Sequence, residues 1–127
     1  MSILDKLLET NVEKLQDREK RQYEIKRLSD LLGEKFTVNC KPMSREQVLH
    51  IGEISSQKGD FQTNTVLEAC DVEGKKFSSG ELLEKFGVVS GKEVVEKLFL
   101  PGEISALYDK VNEISGYGEN AVEEVKN

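Results

Sequence analysis

The residues able to do chemistry in this chain are few and scattered. His50 is the only histidine, and the only cysteines are Cys40 and Cys70. A zinc site wants four ligands, usually in two close pairs, and neither cysteine stands in a Cys-x-x-Cys motif. Nucleophilic catalysis needs a nucleophile, a base and a group that orients the base. Any Ser–His or Cys–His pair would have to use His50, which lies in Glu46-Gln47-Val48-Leu49-His50-Ile51 on an expected helix. No serine stands in a Gly-x-Ser-x-Gly elbow. The glycines build no phosphate cradle, because Gly91-Lys92 is followed by Glu93, whose charge would repel the anion. The two cysteines are read as small, buried, apolar residues with free thiols. The expectation is a protein that is not an enzyme, with no metal, no cofactor and no small-molecule substrate.

Composition narrows the classes further. The chain has 127 residues, one domain's worth, of which 37% are hydrophobic and 33% charged. Lys and Arg total 18 against 24 Asp and Glu, a net charge of −6. Such a chain gains little from counterion release on a phosphate backbone. No apolar run approaches the ~20 residues of a membrane span. The start, Met1-Ser2-Ile3-Leu4-Asp5-Lys6, has neither the basic region nor the apolar stretch of a signal peptide. A soluble protein of the cell interior is expected.

The elements follow from periodicity and capping. Residues 2–15 read as one amphipathic helix with Ile3, Leu4, Leu7, Leu8 and Leu15 on a face. A charged stretch from Glu13 to Lys26 follows, read as a solvated face or linker. Residues 1–20 are therefore expected to stand apart from a domain at 21–127. Tyr23–Leu28 is ambiguous between strand and helix, with Ile25, Leu28, Leu31 and Leu32 at helical spacing before Gly33. Phe36, Val38 and Cys40 alternate with polar residues until Pro42, a half-buried strand. It needs a partner, and Tyr23–Arg27 is the nearest, giving a small β-hairpin near residues 23–41.

After Pro42 about five short capped helices are expected, opened by capping boxes at Ser44–Gln47, Ser78–Glu81 and Ser90–Glu93. The first should turn Val48, Ile51 and Ile54 inward. Asp60 should cap another, with Phe61, Val66, Leu67 and Ala69, before a turn-rich loop around Gly74. Gly87 should end the helix of Leu82, Leu83 and Phe86. Val94, Val95, Leu98 and Phe99 belong to the next. Leu100-Pro101-Gly102-Glu103 reads as a break and restart, with Pro101 at the first helical position and Glu103 near the positive end of the new helix. Ile104, Leu107, Val111 and Ile114 then form one apolar stripe, with Gly116 as the stop and Tyr117-Gly118 as a joint. Asn120 would cap a last helix, Ala121–Val125. The fold class expected is α+β, mostly α-helical.

The order of these motifs resembles the XkdN-like phage tail assembly chaperones. Tyr23-Glu24-Ile25-Lys26-Arg27-Leu28-Ser29, Leu32-Gly33 and the strand Phe36–Cys40 resemble their first half. Glu81-Leu82-Leu83-Glu84-Lys85-Phe86-Gly87 resembles their Leu…Lys-x-Gly segment. Glu96-Lys97-Leu98-Phe99-Leu100-Pro101-Gly102-Glu103-Ile104 resembles their Leu-Leu-Pro-Gly-Glu-Ile signature. Ile114-Ser115-Gly116-Tyr117 resembles their Leu-Ser-Gly-Phe/Tyr ending, and Val125-Lys126-Asn127 their terminus. The resemblance spans residues 20 to 127.

Such proteins are encoded in tail gene clusters of bacteriophages and phage-like elements, just before the tape-measure gene. The resemblance implies a chaperone that coats the helical, aggregation-prone tape-measure protein and leaves before the virion is complete. It implies the cytoplasm of the bacterial host, a homo-oligomer or coating multimer, and a short form accompanied in some members by a longer frameshifted form. The implied contact is helix in groove. Candidate interface residues are Ile3, Leu4, Leu7 and Leu8 on the N-terminal helix, the better candidate, and Ile104, Leu107, Val111 and Ile114, for which ordinary core packing is the favoured reading. Leu100, Pro101, Gly102, Glu103, Gly116 and Tyr117 are expected to set backbone geometry. Two other readings compete. One is a structural tail or baseplate component, which would remain in finished particles. The other is a regulator holding nucleic acid on a basic helix, Lys14–Arg27, where Tyr23 alone could stack on a base.

Overall fold

The structure is a computed structural model that describes residues 2–126 other than Arg18, Gln57, Glu119 and Asn120. Two short helices come first, α1 (Ile3–Glu9) and α2 (Val12–Leu15), then β1 (Arg21–Glu24), α3 (Lys26–Leu32) and β2 (Thr37–Cys40). The rest is α4 (Arg45–Ile54), α5 (Lys58–Ala69), β3 (Cys70–Asp71), α6 (Gly80–Phe86), α7 (Gly91–Leu98) and α8 (Pro101–Asn112). The strands form one antiparallel sheet in the order β1-β2-β3. The mostly helical α+β class read from the sequence is the one observed.

The single N-terminal helix expected over residues 2–15 is in fact two. Ser2 and Asp5 close a capping box at the start of α1. At its end, the Thr10 hydroxyl donates to the Lys6 carbonyl (2.6 Å) while Thr10 itself turns extended. Asn11 then caps α2 by accepting from the Glu13 N–H. Thr and Asn both offer the backbone local partners that compete with a continuous helix.

The ambiguous Tyr23–Leu28 segment is strand and helix in succession. Strand pairing runs from Arg21↔Cys40 to Glu24↔Thr37, and α3 begins immediately after Ile25. The expected hairpin therefore carries a helix in its connection, closed by Gly33 at φ 75°. The Ser29 hydroxyl accepts from the Phe36 N–H (2.8 Å) and brings the chain back into β2. Ile25 and Leu28 are buried, whereas Leu31 and Leu32 face outward.

The third strand is new. It occupies Cys70–Asp71, directly after α5, and is followed by a two-residue turn at Glu73 (φ 52°) and Gly74 (φ 83°). Asp71 is buried and explains why the turn holds. It accepts from Asn39 Nδ2 (2.8 Å) on β2 and from the Gly74 N–H (3.0 Å). Burial pushes its carboxyl up, but these bonds and nearby Lys41 outweigh it and hold the group below its ordinary value.

Two of the three expected capping boxes form, Ser44–Gln47 and Ser90–Glu93. The Ser78–Glu81 box does not, because α6 starts one residue later, with Ser79 at the cap position and no side-chain bond there. The Ser79 hydroxyl is buried without a partner. Asp60 lies in the first turn of α5 instead of capping it. Ile51 of α4 is buried, while Ile54 remains 45% exposed. Residues 121–126 are not helical and have no regular structure, and Val122 and Val125 are exposed. A helix of five residues needs packing to survive in water, and none is provided. The expected cap, Asn120, lies outside the described residues.

The core lies where the sheet meets α5, α7 and α8. Val38, Val66, Phe77, Val94, Val95 and Val111 are fully buried there. Phe77 and Phe99 meet edge to face, ring centres 5.7 Å apart, a preferred geometry for aromatic quadrupoles. Gly91, at the start of α7, is where that helix presses closest on its neighbours. A Cβ there would come within 2.7 Å of Leu67 Cδ1 and 3.0 Å of the Ser78 backbone.

Candidate protein-interaction surface

Three of the sequence motifs prove to be joints of the fold. Leu100-Pro101-Gly102-Glu103 starts α8 with Pro101 at its first position. Glu103 accepts from the Leu100 N–H (2.8 Å) and receives Arg27 in a two-pronged contact, Nε to Oε2 at 3.0 Å and Nη2 to Oε1 at 2.8 Å. Arg27 Nη2 also donates to the Leu98 carbonyl (3.0 Å). The clasp joins α3 to the α7–α8 corner. The Arg27 hydrogen bond is the main reason the Glu103 carboxyl sits below its ordinary value.

The second joint is Ile114-Ser115-Gly116-Tyr117, where α8 passes into a wider turn, Glu113–Tyr117. Ser115 Oγ donates to the Val111 carbonyl (2.7 Å) and accepts from the Met43 N–H (2.9 Å), fastening the β2–α4 connection to the end of α8. Gly116 has φ 95°, a left-handed value that favours glycine. The third is Gly87, also left-handed (φ 65°), whose N–H closes α6. Beside these, Lys92 of the Gly91-Lys92 pair is held by Asp60 at 2.6 Å, so its charge is already matched within the fold.

Of the candidate chemistry residues, the fold brings Cys40 and Cys70 together. His50 is exposed on α4. Cys40 and Cys70 are buried in the sheet with Sγ atoms 3.4 Å apart. The bond from Cys40, and then burial, push the Cys70 thiol up, which leaves it protonated and a poor nucleophile. Among the described residues no group of three or more His, Cys, Asp or Glu is placed to hold a metal ion. No helix among the described residues is long and apolar enough to cross a membrane. Lys14–Arg27 is not the one basic helix expected: among its described residues are the end of α2, β1 and the start of α3.

The two candidate apolar faces are placed oppositely. Ile104, Leu107, Val111 and Ile114 all point into the core and are at most 7% exposed. As folded, that stripe offers no surface. On α1 and α2, by contrast, no residue is buried. Exposure runs from 50% at Leu7 to 81% at Ile3, with Leu4, Leu8, Val12 and Leu15 between. Ile3, Leu4, Leu7 and Leu8 share one face of α1, with Asp5, Lys6 and Glu9 around it. Contiguous apolar surface rimmed by charge marks a site of association. Where the segment after α2 passes the end of α8, an open cleft of about 1010 Å³ is lined by Asp17, Glu19, Arg21, Asp109, Glu113 and Tyr117. Tyr117 is 64% exposed.

Sequence reasoning could not have found the Arg27–Glu103, Asp60–Lys92 or Met43–Ser115 contacts, since each joins elements far apart in the chain with no local signal.

Comparison with known proteins agrees with this architecture. The crystal structure of the protein YqbN superposes with a TM-score of 0.65, covering 80% of this chain and 88% of that one, at 20% identity. At that identity the likeness is one of fold. No curated protein matches the chain. The family model of the phage XkdN-like tail assembly chaperone protein, TAC, matches residues 4–126. It reaches back through α1 and α2, which the sequence resemblance had left out. Its span takes in nearly every described residue, and the chain belongs to the phage XkdN-like tail assembly chaperone family.

Proposed function

We propose that this protein binds the tape-measure protein during tail morphogenesis, keeps it soluble in the cytoplasm of the bacterial host, and is absent from the finished virion. The observation that carries the proposal, given the family, is the uncovered apolar face of α1 and α2. A long helical client exposes apolar stripes of its own until tube subunits enclose them. A short amphipathic helix outside the chaperone's core can cover such a stripe without unfolding the domain. Many copies along one client would give a coating multimer, and a net charge of −6 on each copy keeps the coated complex dispersed. This role needs no nucleophile, metal or cofactor.

The test is co-expression with the tape-measure protein encoded beside it, followed by pull-down from the soluble fraction. A soluble complex with many chaperones per client, and finished tails free of the chaperone, is the expected result. An insoluble client beside a folded, unbound partner would overturn the proposal. Recovery of this chain from purified tails would point instead to a structural tail component.

A further inference from the structure

Cys40 and Cys70 face each other across β2 and β3. The kind of pair they form follows from the ladder. Lys41 donates its N–H to the Ala69 carbonyl (2.9 Å), so 41/69 is a hydrogen-bonded position. Antiparallel positions alternate, which makes Cys40/Cys70 a non-hydrogen-bonded pair. In such pairs the Cα atoms lie ~4.5 Å apart and the side chains approach most closely. That spacing is inside the range of ~4.4–6.8 Å that a disulfide spans. The two sulfurs are already 3.4 Å apart, and both residues are at most 1% exposed. We propose that Cys40 and Cys70 are a redox modification site, convertible within the folded sheet to an intramolecular disulfide that staples β3 to β2.

The reaction is a two-electron oxidation. Each thiol loses a proton, one S–S bond forms, and the electron pair passes to an oxidant. A small-molecule disulfide such as oxidised glutathione serves, being reduced to two thiols. Attack on that oxidant passes through a mixed disulfide on one cysteine, which the neighbouring thiol then resolves. Burial makes this slow in the native state, because the thiols must be reached through opening of the short β3 edge. The closed loop would span the 30-residue separation that contains α4 and α5. Cross-linking a loop of that size restricts the unfolded chain and favours the folded one. By linkage, the folded sheet favours the disulfide to the same degree.

The test equilibrates the whole chain in mixtures of reduced and oxidised glutathione, once in native buffer and once in denaturant. The oxidised fraction is read by mass spectrometry after alkylation. Equilibration from the denatured side removes any dependence on access. The expected result is a ratio of disulfide to dithiol roughly a hundredfold higher in native buffer than in denaturant. The oxidised chain should also unfold several degrees higher than the reduced one. Equal ratios in the two buffers, a lower native ratio, or a persistent glutathione adduct on one cysteine would each overturn the proposal. Cys40→Ala serves as the control that cannot close. Since the measurement rests on the unaltered protein, the inference remains testable even if that variant folds poorly.

Discussion

Glu103 illustrates how one side chain in a short motif can hold two distant elements. Its carboxyl is held below the ordinary value of 4.5 chiefly by Arg27. A depressed carboxylate contributes stability that is fully present above its unfolded value and lost as pH falls through the folded one. Glu103→Gln should therefore lower Tm by a few degrees near neutral pH, with the gap to the wild type closing as pH falls below 4.5. Parallel thermal melts of both proteins across pH 3–7 would check this, and a gap that stays constant would refute it. Gly91 makes a steric case. Gly91→Ala would force Leu67 and the Ser78 backbone apart, costing about 1–3 kcal/mol of stability in denaturant unfolding. A helix position that usually gains from alanine should lose here. Ser79→Ala should go the other way, neutral or stabilising by up to about 1 kcal/mol, because it removes a buried hydroxyl with no partner.

At the scale of elements, α1 and α2 contrast with α8. Both are amphipathic, but α8 spends its apolar face on the core and α1 does not. Leu4→Glu combined with Leu7→Glu should leave the thermal midpoint unchanged within error while abolishing solubilisation of the client in co-expression. A drop in stability would instead mean that α1 packs on the domain. The same two substitutions placed at Leu107 and Val111 would unfold the protein, because each would bury an unpaired charge. Periodicity shows that both segments are amphipathic helices. It cannot show which one finds an internal partner, since that depends on where the sheet and α5 come to rest.

For the whole molecule, stability is expected to be graded. Amides of β2 and α8, which flank the core, should exchange most slowly with solvent. Those of α1 and α2, with no buried residue, should exchange within the earliest time points. Hydrogen exchange followed by mass spectrometry checks this directly, and equal protection across the chain would contradict it. Chain-local features were legible before the structure: the strand at 36–40, the boxes at Ser44 and Ser90, Pro101 opening α8, Gly33 and Gly87 closing helices, and the motif order that marks the family. They were legible because caps, glycine conformations and hydrophobic periods act over three or four residues, within the reach of one sequence window. Beyond the β1–β2 hairpin, the pairings across the chain were decided by the tertiary structure alone. It added a third strand at Cys70–Asp71, set Cys40 against Cys70, clasped Arg27 to Glu103, sent the Ile104–Ile114 stripe inward and left the N-terminal face bare. Those outcomes depend on which surfaces are buried together once the chain has collapsed. A pattern of apolar residues states only that a surface must be covered, not what covers it.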